Sequence, residues 1–257
     1  MRIQSVDRAV ALLNALNASK GEIGVTELSR RLGLHVSTVH RLLASLAHGG
    51  LVEQDPRSRK YRLGIRLVEF GNTILNTRKL PQVALPYLRY LADELKEVSY
   101  LAVRDGAEMV NVLQIPGPHE SRPPTWLGRG PLHCTSSGKI FLAHLPDDEL
   151  ESLLARGLAR LTPSTISDPV ALRHELRQVR EQGFATSWEE HEQGTNAIAV
   201  PLSGSEFTVL AALSVVGPSY RFTPEKAMSC RSIMKGVSTQ ISRRLGSSWF
   251  DAFDFLE

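Results

Sequence analysis

The densest run of reactive side chains in the 257-residue chain is His133-Cys134-Thr135-Ser136-Ser137-Gly138-Lys139. A thiol beside an imidazole is the start of a cysteine nucleophile, but the sequence places no third group to orient the pair. Packing beside a pocket is the better role for it. Gly138-Lys139 invites comparison with a phosphate-binding loop. That loop needs glycine five places before its Gly-Lys glycine and Ser or Thr after the lysine, where His133 and Ile140 stand here. What remains is a hydroxyl run at a helix start. Free amides and small hydroxyls make a ready anion site there; equally, Ser136 and Ser137 can simply cap the helix. Glu189-Glu190 has the look of paired carboxylates, yet neighbours on a strand point to opposite faces. His119, His144, His174 and His191 lack the spacing of zinc ligands. No catalytic set is complete, so the chain reads as a non-enzyme with no metal and no cofactor.

A second constellation lies in Thr26–Leu46, TELSRRLGLHVSTVHRLLASL. Leu28 and Leu32 fall on one helix face, and Gly33 stands where a left-handed residue stops a helix. Thr26 can cap this first helix. In the second helix Val39, Leu42, Leu43 and Leu46 face inward at helical spacing, and Ser37, Thr38, His40, Arg41 and Ser45 face outward. Two helices about a glycine turn, the second polar on its outer side, fit a DNA major groove. An ordinary helical hairpin with a solvated face has the same pattern. On the DNA reading, the Arg41 fork matches the two acceptors of guanine, and Val36 can touch a thymine methyl. Ser37, Thr38 and His40 can reach base edges or phosphates.

The flanking elements favour DNA. Ser5 can cap a preceding helix to about Leu16, with Val6, Ala9, Val10, Leu13 and Leu16 as its apolar stripe. Gly49-Gly50 ends the second helix of the pair. Leu51–Gln54 and Tyr61–Leu63 read as strands joined at Asp55-Pro56-Arg57-Ser58. Three helices and a basic hairpin make a winged helix-turn-helix. Arg57, Arg59 and Lys60, with Arg62 behind them, are placed to hold phosphate without reading sequence. Charge agrees: residues 1–80 carry 13 Lys/Arg against 6 Asp/Glu (+7), the remainder 17 against 21 (−4).

Beyond the hairpin, Ile65–Leu75 reads as a helix with Ile65, Val68, Ile74 and Leu75 apolar, ended by Pro81. Helix resumes by Pro86 and runs to about Glu97, Leu88, Leu91, Ala92 and Leu95 facing inward. Strands follow over Val98–Val103 and Met109–Ile115 about Asp105-Gly106, then a loop over 116–124 with four prolines. Helices are expected over Ser136–His144, Pro146–Ala155, Val170–Gln182 and Pro224–Leu245. Strands are expected over Phe184–Ser187, Asn196–Leu202 and Val209–Val216, the last two joined at Ser203-Gly204-Ser205. This is α+β: a largely antiparallel sheet flanked by helices. The aromatic tail Trp249–Leu256 is expected to dock or to lie at a subunit contact. No apolar run reaches the ~20 residues of a membrane span, the first residues do not read as a secretory signal, and two cysteines suit a reducing compartment. A cytoplasmic protein with no membrane partner is the expectation.

The collinear motifs carry a resemblance. SVDRAVALLNAL, ELSRRLGLHVSTVHRLLASL and YRLG look like the first helix, recognition segment and wing end of the IclR-type bacterial transcriptional regulators. GRGPLHCTSSGKIFLAHLP, GFATSWEEHEQGTNAIAVPL and LAALSVVGP resemble the characteristic stretches of that family's effector domain. The resemblance implies a winged DNA-binding domain at 1–64, a linker helix at 65–80 and a GAF-like effector domain at 81–257. It implies a homodimer or dimer of dimers on double-stranded operator DNA, and a small-molecule effector faced by Ser136, Ser137, Ser187, Thr195 and Ala197. The chain departs from the pattern at three places: His35-Val36 for Pro-Lys, Ala197 for Cys, and Ser187-Trp188 where an Asp begins the motif. The last two imply a larger or more aromatic effector. The expected function is an operator-binding regulator, a repressor, modulated by a small organic or aromatic acid. The alternative is a small-molecule sensor or scaffold with a vestigial DNA-binding element.

Overall fold

A computed structural model describes residues 3–19, 21–77, 79–118, 128–203 and 209–245, with backbone alone at 75–77. The chain divides into two compact units, residues 1–77 and 78–257. The Ser203-Gly204-Ser205 turn beyond Ser203, the 119–124 part of the proline loop and the Trp249–Leu256 tail lie outside the described residues.

In the first unit three helices, α1 (Gln4–Ala18), α2 (Val25–Leu32) and α3 (Val36–His48), precede an antiparallel hairpin of β1 (Val52–Gln54) and β2 (Tyr61–Leu63). Leu12, Leu16, Leu28, Val39, Leu43, Val52 and Tyr61 form its core. Each large side chain fully buried here contributes about 1.5–3 kcal/mol. Gly33, at φ 63°, closes α2 with its amide on the Ser29 carbonyl, a conformation that costs a β-carbon dearly. Two expected caps are corrected. Gly24 precedes α2 and Thr26 lies inside it; Ile3 precedes α1 and Ser5 lies inside it. The expected α1 stripe is also corrected: Leu12, not anticipated, joins Leu16 in the core, while Val6 and Val10 stay about half exposed. An apolar helix with two faces can give only one to a single small core. Helix α4 (Arg66–Thr77) follows, with Val68, Phe70 and Ile74 exposed.

The second unit opens with α5 (Lys79–Leu95), which starts earlier than expected and contains both prolines. Pro81 is the third described residue of that helix and Pro86 lies in its interior. Eight-residue strands β3 (Val98–Asp105) and β4 (Glu108–Ile115) turn at Gly106. Then come β5 (Arg129–Pro131), not foreseen, and helices α6 (Ser136–Ala143), α7 (Asp147–Leu154) and α8 (Pro169–Gln182). With strands β6 (Ala185–Trp188), β7 (Thr195–Ser203) and β8 (Val209–Pro218), the described residues form a six-stranded sheet in the order β5-β4-β3-β8-β7-β6, every pairing antiparallel. The expected single last helix is two, α9 (Pro224–Ser229) and α10 (Arg231–Leu245), meeting at Cys230.

The two faces of the sheet differ in side-chain size. Leu101, Ile198, Val200, Leu213 and Val215 face α5 and α10. Ala102, Ala185, Ala199 and Ala212 face α6 and α8. Small residues let α6 lie close on the sheet, and every residue of α6 is buried. Gly138 belongs to the same fit: a β-carbon there would overlap the Leu132 carbonyl.

Candidate functional site

On α3 the exposed residues Ser37, His40, Arg41, Ala44 and Ser45 share one face, opposite buried Val39, Leu43 and Leu46. Val36 is exposed and Thr38 half-buried at the start of the helix. His35 caps α3, its Nδ1 accepting from the Ser37 amide at 3.3 Å. The turn of the wing is built by Asp55, whose Oδ1 accepts the amides of Arg57 and Ser58 at 2.9 and 2.6 Å. The Ser58 amide, foremost, holds this carboxyl below its usual range. Arg59 takes φ 59° at the tip. Among the described residues Arg41, Arg57, Arg59 and Lys60 carry no ion pair. Arg62, expected behind the tip, is instead drawn back by Glu53 at 3.3 Å and Glu22 at 3.5 Å. Thr26 and Lys60 border the same shallow hollow at the start of α2. Arg30 and Arg31 are committed to Glu27, whose carboxyl they hold down to about 2.

The second unit contains a cavity of about 520 Å3 including its mouth. Ser136 and Ser137 on α6, Ser187 on β6, and Thr195 and Ala197 on β7 all line it. The register explains the meeting. Ser187 pairs with Ala197 and Ala197 with Val216, while Ser214 of the same β8 pairs with Tyr100 of β3. These residues share the small-residue face, over which the first turn of α6 arrives. Thr135, not Ser136 or Ser137, caps α6: its Oγ1 accepts from the Gly138 amide at 3.1 Å and donates to the Pro131 carbonyl at 2.9 Å. The Ser136 and Ser137 hydroxyls, relieved of capping, hydrogen-bond to no described residue. Ser187 donates to the Cys134 carbonyl at 2.9 Å, which fixes β6 beside that turn.

Sequence reasoning missed Tyr100, Met109, Asn111, His191, Glu192, Ser214 and Val216 on the cavity wall. Strand alternation held the signal for Tyr100, Ser214 and Val216, but only the strand order brings them together. Burial keeps the Tyr100 phenol protonated and pushes the His191 imidazole below its usual range, so both are neutral near pH 7. Trp188 corrects the expectation of an aromatic addition to the pocket. It follows Ser187 on a strand, therefore points to the opposite face, and packs against the α5–α10 core.

The nucleophile reading of His133-Cys134 is empty. His133 Nε2 is 2.9 Å from the Ala159 carbonyl, and burial pushes the Cys134 thiol up to about 12, which leaves no thiolate. Glu189 and Glu190 diverge, but on a turn after β6 rather than along a strand. Glu189, at φ 55°, accepts the Gly194 amide, whereas Glu190 is buried against Lys139. No group of metal-ligating side chains occurs among the described residues, and none of their helices is long and apolar enough to cross a membrane.

A winged helix-turn-helix whose Arg41, Arg57, Arg59 and Lys60 carry no ion pair among the described residues, on a chain with a hydroxyl-lined cavity in an α+β unit, has the make-up of a DNA-binding transcriptional regulator. Comparison with known proteins gives the family. Residues 5–56 match the IclR helix-turn-helix domain and residues 72–243 the bacterial transcriptional regulator IclR C-terminal domain. The chain belongs to the IclR family of transcriptional regulators. It is 35% identical over 246 residues to the HTH-type transcriptional regulator XynR of Escherichia coli K12, covering 95% of this chain and 98% of that one. It is 34% identical to the HTH-type transcriptional repressor AllR of the same strain, covering 95% and 90%. Among solved structures, an IclR regulator from Alicyclobacillus acidocaldarius superposes with a TM-score of 0.86 at 26% identity, covering 96% and 100%. An IclR homologue from Microbacterium hydrocarbonoxydans, solved with 4-hydroxybenzoate, gives 0.80 at 30% identity, covering 94% and 99%.

Proposed function

We propose that this regulator is a repressor that reads its operator through α3 and is modulated by a small organic acid bound in the cavity. The observation that carries the reading is the convergence of Ser136, Ser137, Ser187, Thr195 and Ala197, from three elements, on one cavity. The acid lies with its carboxylate toward the first turn of α6, where the Ser136 and Ser137 amides left over by the Thr135 cap, and the two free hydroxyls, favour negative charge. Met109, Ala197 and Val216 receive its apolar body. An aromatic monocarboxylate of the size of 4-hydroxybenzoate, the molecule held by the Microbacterium homologue, fits this description.

On the DNA side, Arg41, Ser37, Thr38, His40 and Val36 meet base edges, and Thr26, Arg57, Arg59 and Lys60 hold phosphates. The functional divisions are a winged domain at 1–64, a linker helix at 65–80 and an effector domain at 81–257. The protein acts in the cytoplasm, catalyses no reaction, and works as a homodimer or dimer of dimers. The half-exposed apolar residues Val6 and Val10 of α1, and Val68, Phe70 and Ile74 of α4, support that assembly.

The test is two measurements on the full-length protein. Fluorescence anisotropy with DNA from upstream of its own gene, at two salt concentrations, reads operator selectivity. Arg41→Ala is expected to lose about 1–3 kcal/mol of binding and to relax preference at one base position. Calorimetric titration with 4-hydroxybenzoate and other small monocarboxylates reads the cavity. Equal, weak binding to operator and random DNA would leave the sensor-or-scaffold alternative, and no heat from any acid would remove the effector class.

A further inference from the structure

Directly behind the cavity sits a charge cluster that neither DNA reading nor ligand contact employs. Lys139, one turn beyond Ser136, has a side chain only 1% exposed. Its Nζ donates to Glu190 Oε1 at 2.7 Å and to Glu175 Oε1 at 3.0 Å. Glu190 is buried, and its Oε2 has no hydrogen-bond partner among the described residues. Among the described residues the carboxylate's one further partner is the Trp188 amide, at 3.4 Å from Oε1. Three elements therefore meet at one ammonium: α6, α8 and the turn that joins β6 to β7. The residues after Glu190 on that turn, His191 and Glu192, form one part of the cavity wall, and Ser136 and Ser137 on α6 form another. The turn is also held through its backbone, buried Thr162 Oγ1 donating to the Glu189 carbonyl at 2.7 Å and Thr165 Oγ1 to that of Glu190 at 2.6 Å.

We propose that Lys139 and Glu190 are the positioning residues of the cavity, one buried ion pair setting where the His191–Glu192 wall stands relative to the first turn of α6. The alternative is that the pair only fills space in the core. The geometry separates the two. A filler acts through volume and is replaceable by an apolar pair, whereas a strut acts through the direction of one short hydrogen bond. Its importance for the effector rests on the reading of the cavity given above; its effect on the wall does not.

Hydrogen exchange on the full-length protein without ligand tests the wall. Glu190→Ala is expected to raise exchange across residues 187–194 by about tenfold or more, the worth of a hydrogen bond to a charged group. Residues 209–218 of β8 keep wild-type exchange. Glu190→Gln, whose amide oxygen still accepts from Nζ, restores most of the protection. If Glu190→Ala does not fold, the double variant Lys139→Met with Glu190→Met serves. It keeps the volume and removes the buried charges, and is expected to melt near the wild type while 187–194 remain fast. Unchanged exchange in 187–194, an equal rise in 209–218, or a glutamine variant no better than alanine would each overturn the proposal. Titration of 4-hydroxybenzoate into the same proteins is the second arm. If the wild type takes up none, the effector reading fails there, while the exchange data still decide the strut.

Discussion

Replacing Lys139 by methionine removes an ammonium and nearly nothing else, because the two side chains are close in volume. At 2.7 Å the attraction to Glu190 is about 6 kcal/mol at an effective dielectric of about 20. Much of that offsets the loss of water around both ions. Removing one partner leaves the other buried and uncompensated, which costs about 3–5 kcal/mol. Glu175, with a side chain 24% exposed, can turn to solvent; Glu190, at 6%, cannot. The deficit therefore falls on Glu190, and it depends on pH. Burial already holds the Glu190 carboxyl above its usual range despite the lysine. A carboxyl raised in the folded state binds more protons folded than unfolded, so its stabilising contribution is complete at low pH and is lost as pH rises through the folded value. Without Lys139 that value rises further, and the window of loss widens upward. Urea unfolding followed by circular dichroism at pH 8 and pH 5.5 measures this. The expected outcome is a deficit of about 3–5 kcal/mol at pH 8 and a clearly smaller one at pH 5.5. A deficit below about 1 kcal/mol, or one equal at both pH values, would refute the account of a buried carboxylate dependent on one ammonium.

Two further outcomes are expected. Replacing Arg57, Arg59 and Lys60 together by alanine should lower the slope of log affinity against log salt by about 2.7, if each releases one phosphate counterion; the ratio of operator to random DNA affinity, read by anisotropy, should stay unchanged. Gly138→Ala should lower stability by about 1–3 kcal/mol in a denaturant melt, since its β-carbon meets backbone that cannot move aside.

Local chemistry made much of this protein legible from its sequence. Gly33 between two apolar stripes, and Asp55 before a basic tip, specify a turn and a wing whatever surrounds them, because caps and turns are satisfied by residues a few places away. Motif matches likewise pointed to Ser136, Ser187 and Thr195 before their meeting could be seen. What the chain could not disclose alone is which of two plausible partners a group takes when the choice lies far away in sequence. Val6 looked like core until Leu12 and Leu16 occupied the interior. Trp188 looked like a pocket residue, although alternation with Ser187 sets it on the other face; that it meets the α5–α10 core there only the packing decides. Lys139 and Glu190, 51 residues apart, became a pair only when the alanines of the sheet let α6 settle close enough for one ammonium to reach two carboxylates. Spacing along a helix or strand fixes a side chain's direction; only the packed sheet decides what it meets there.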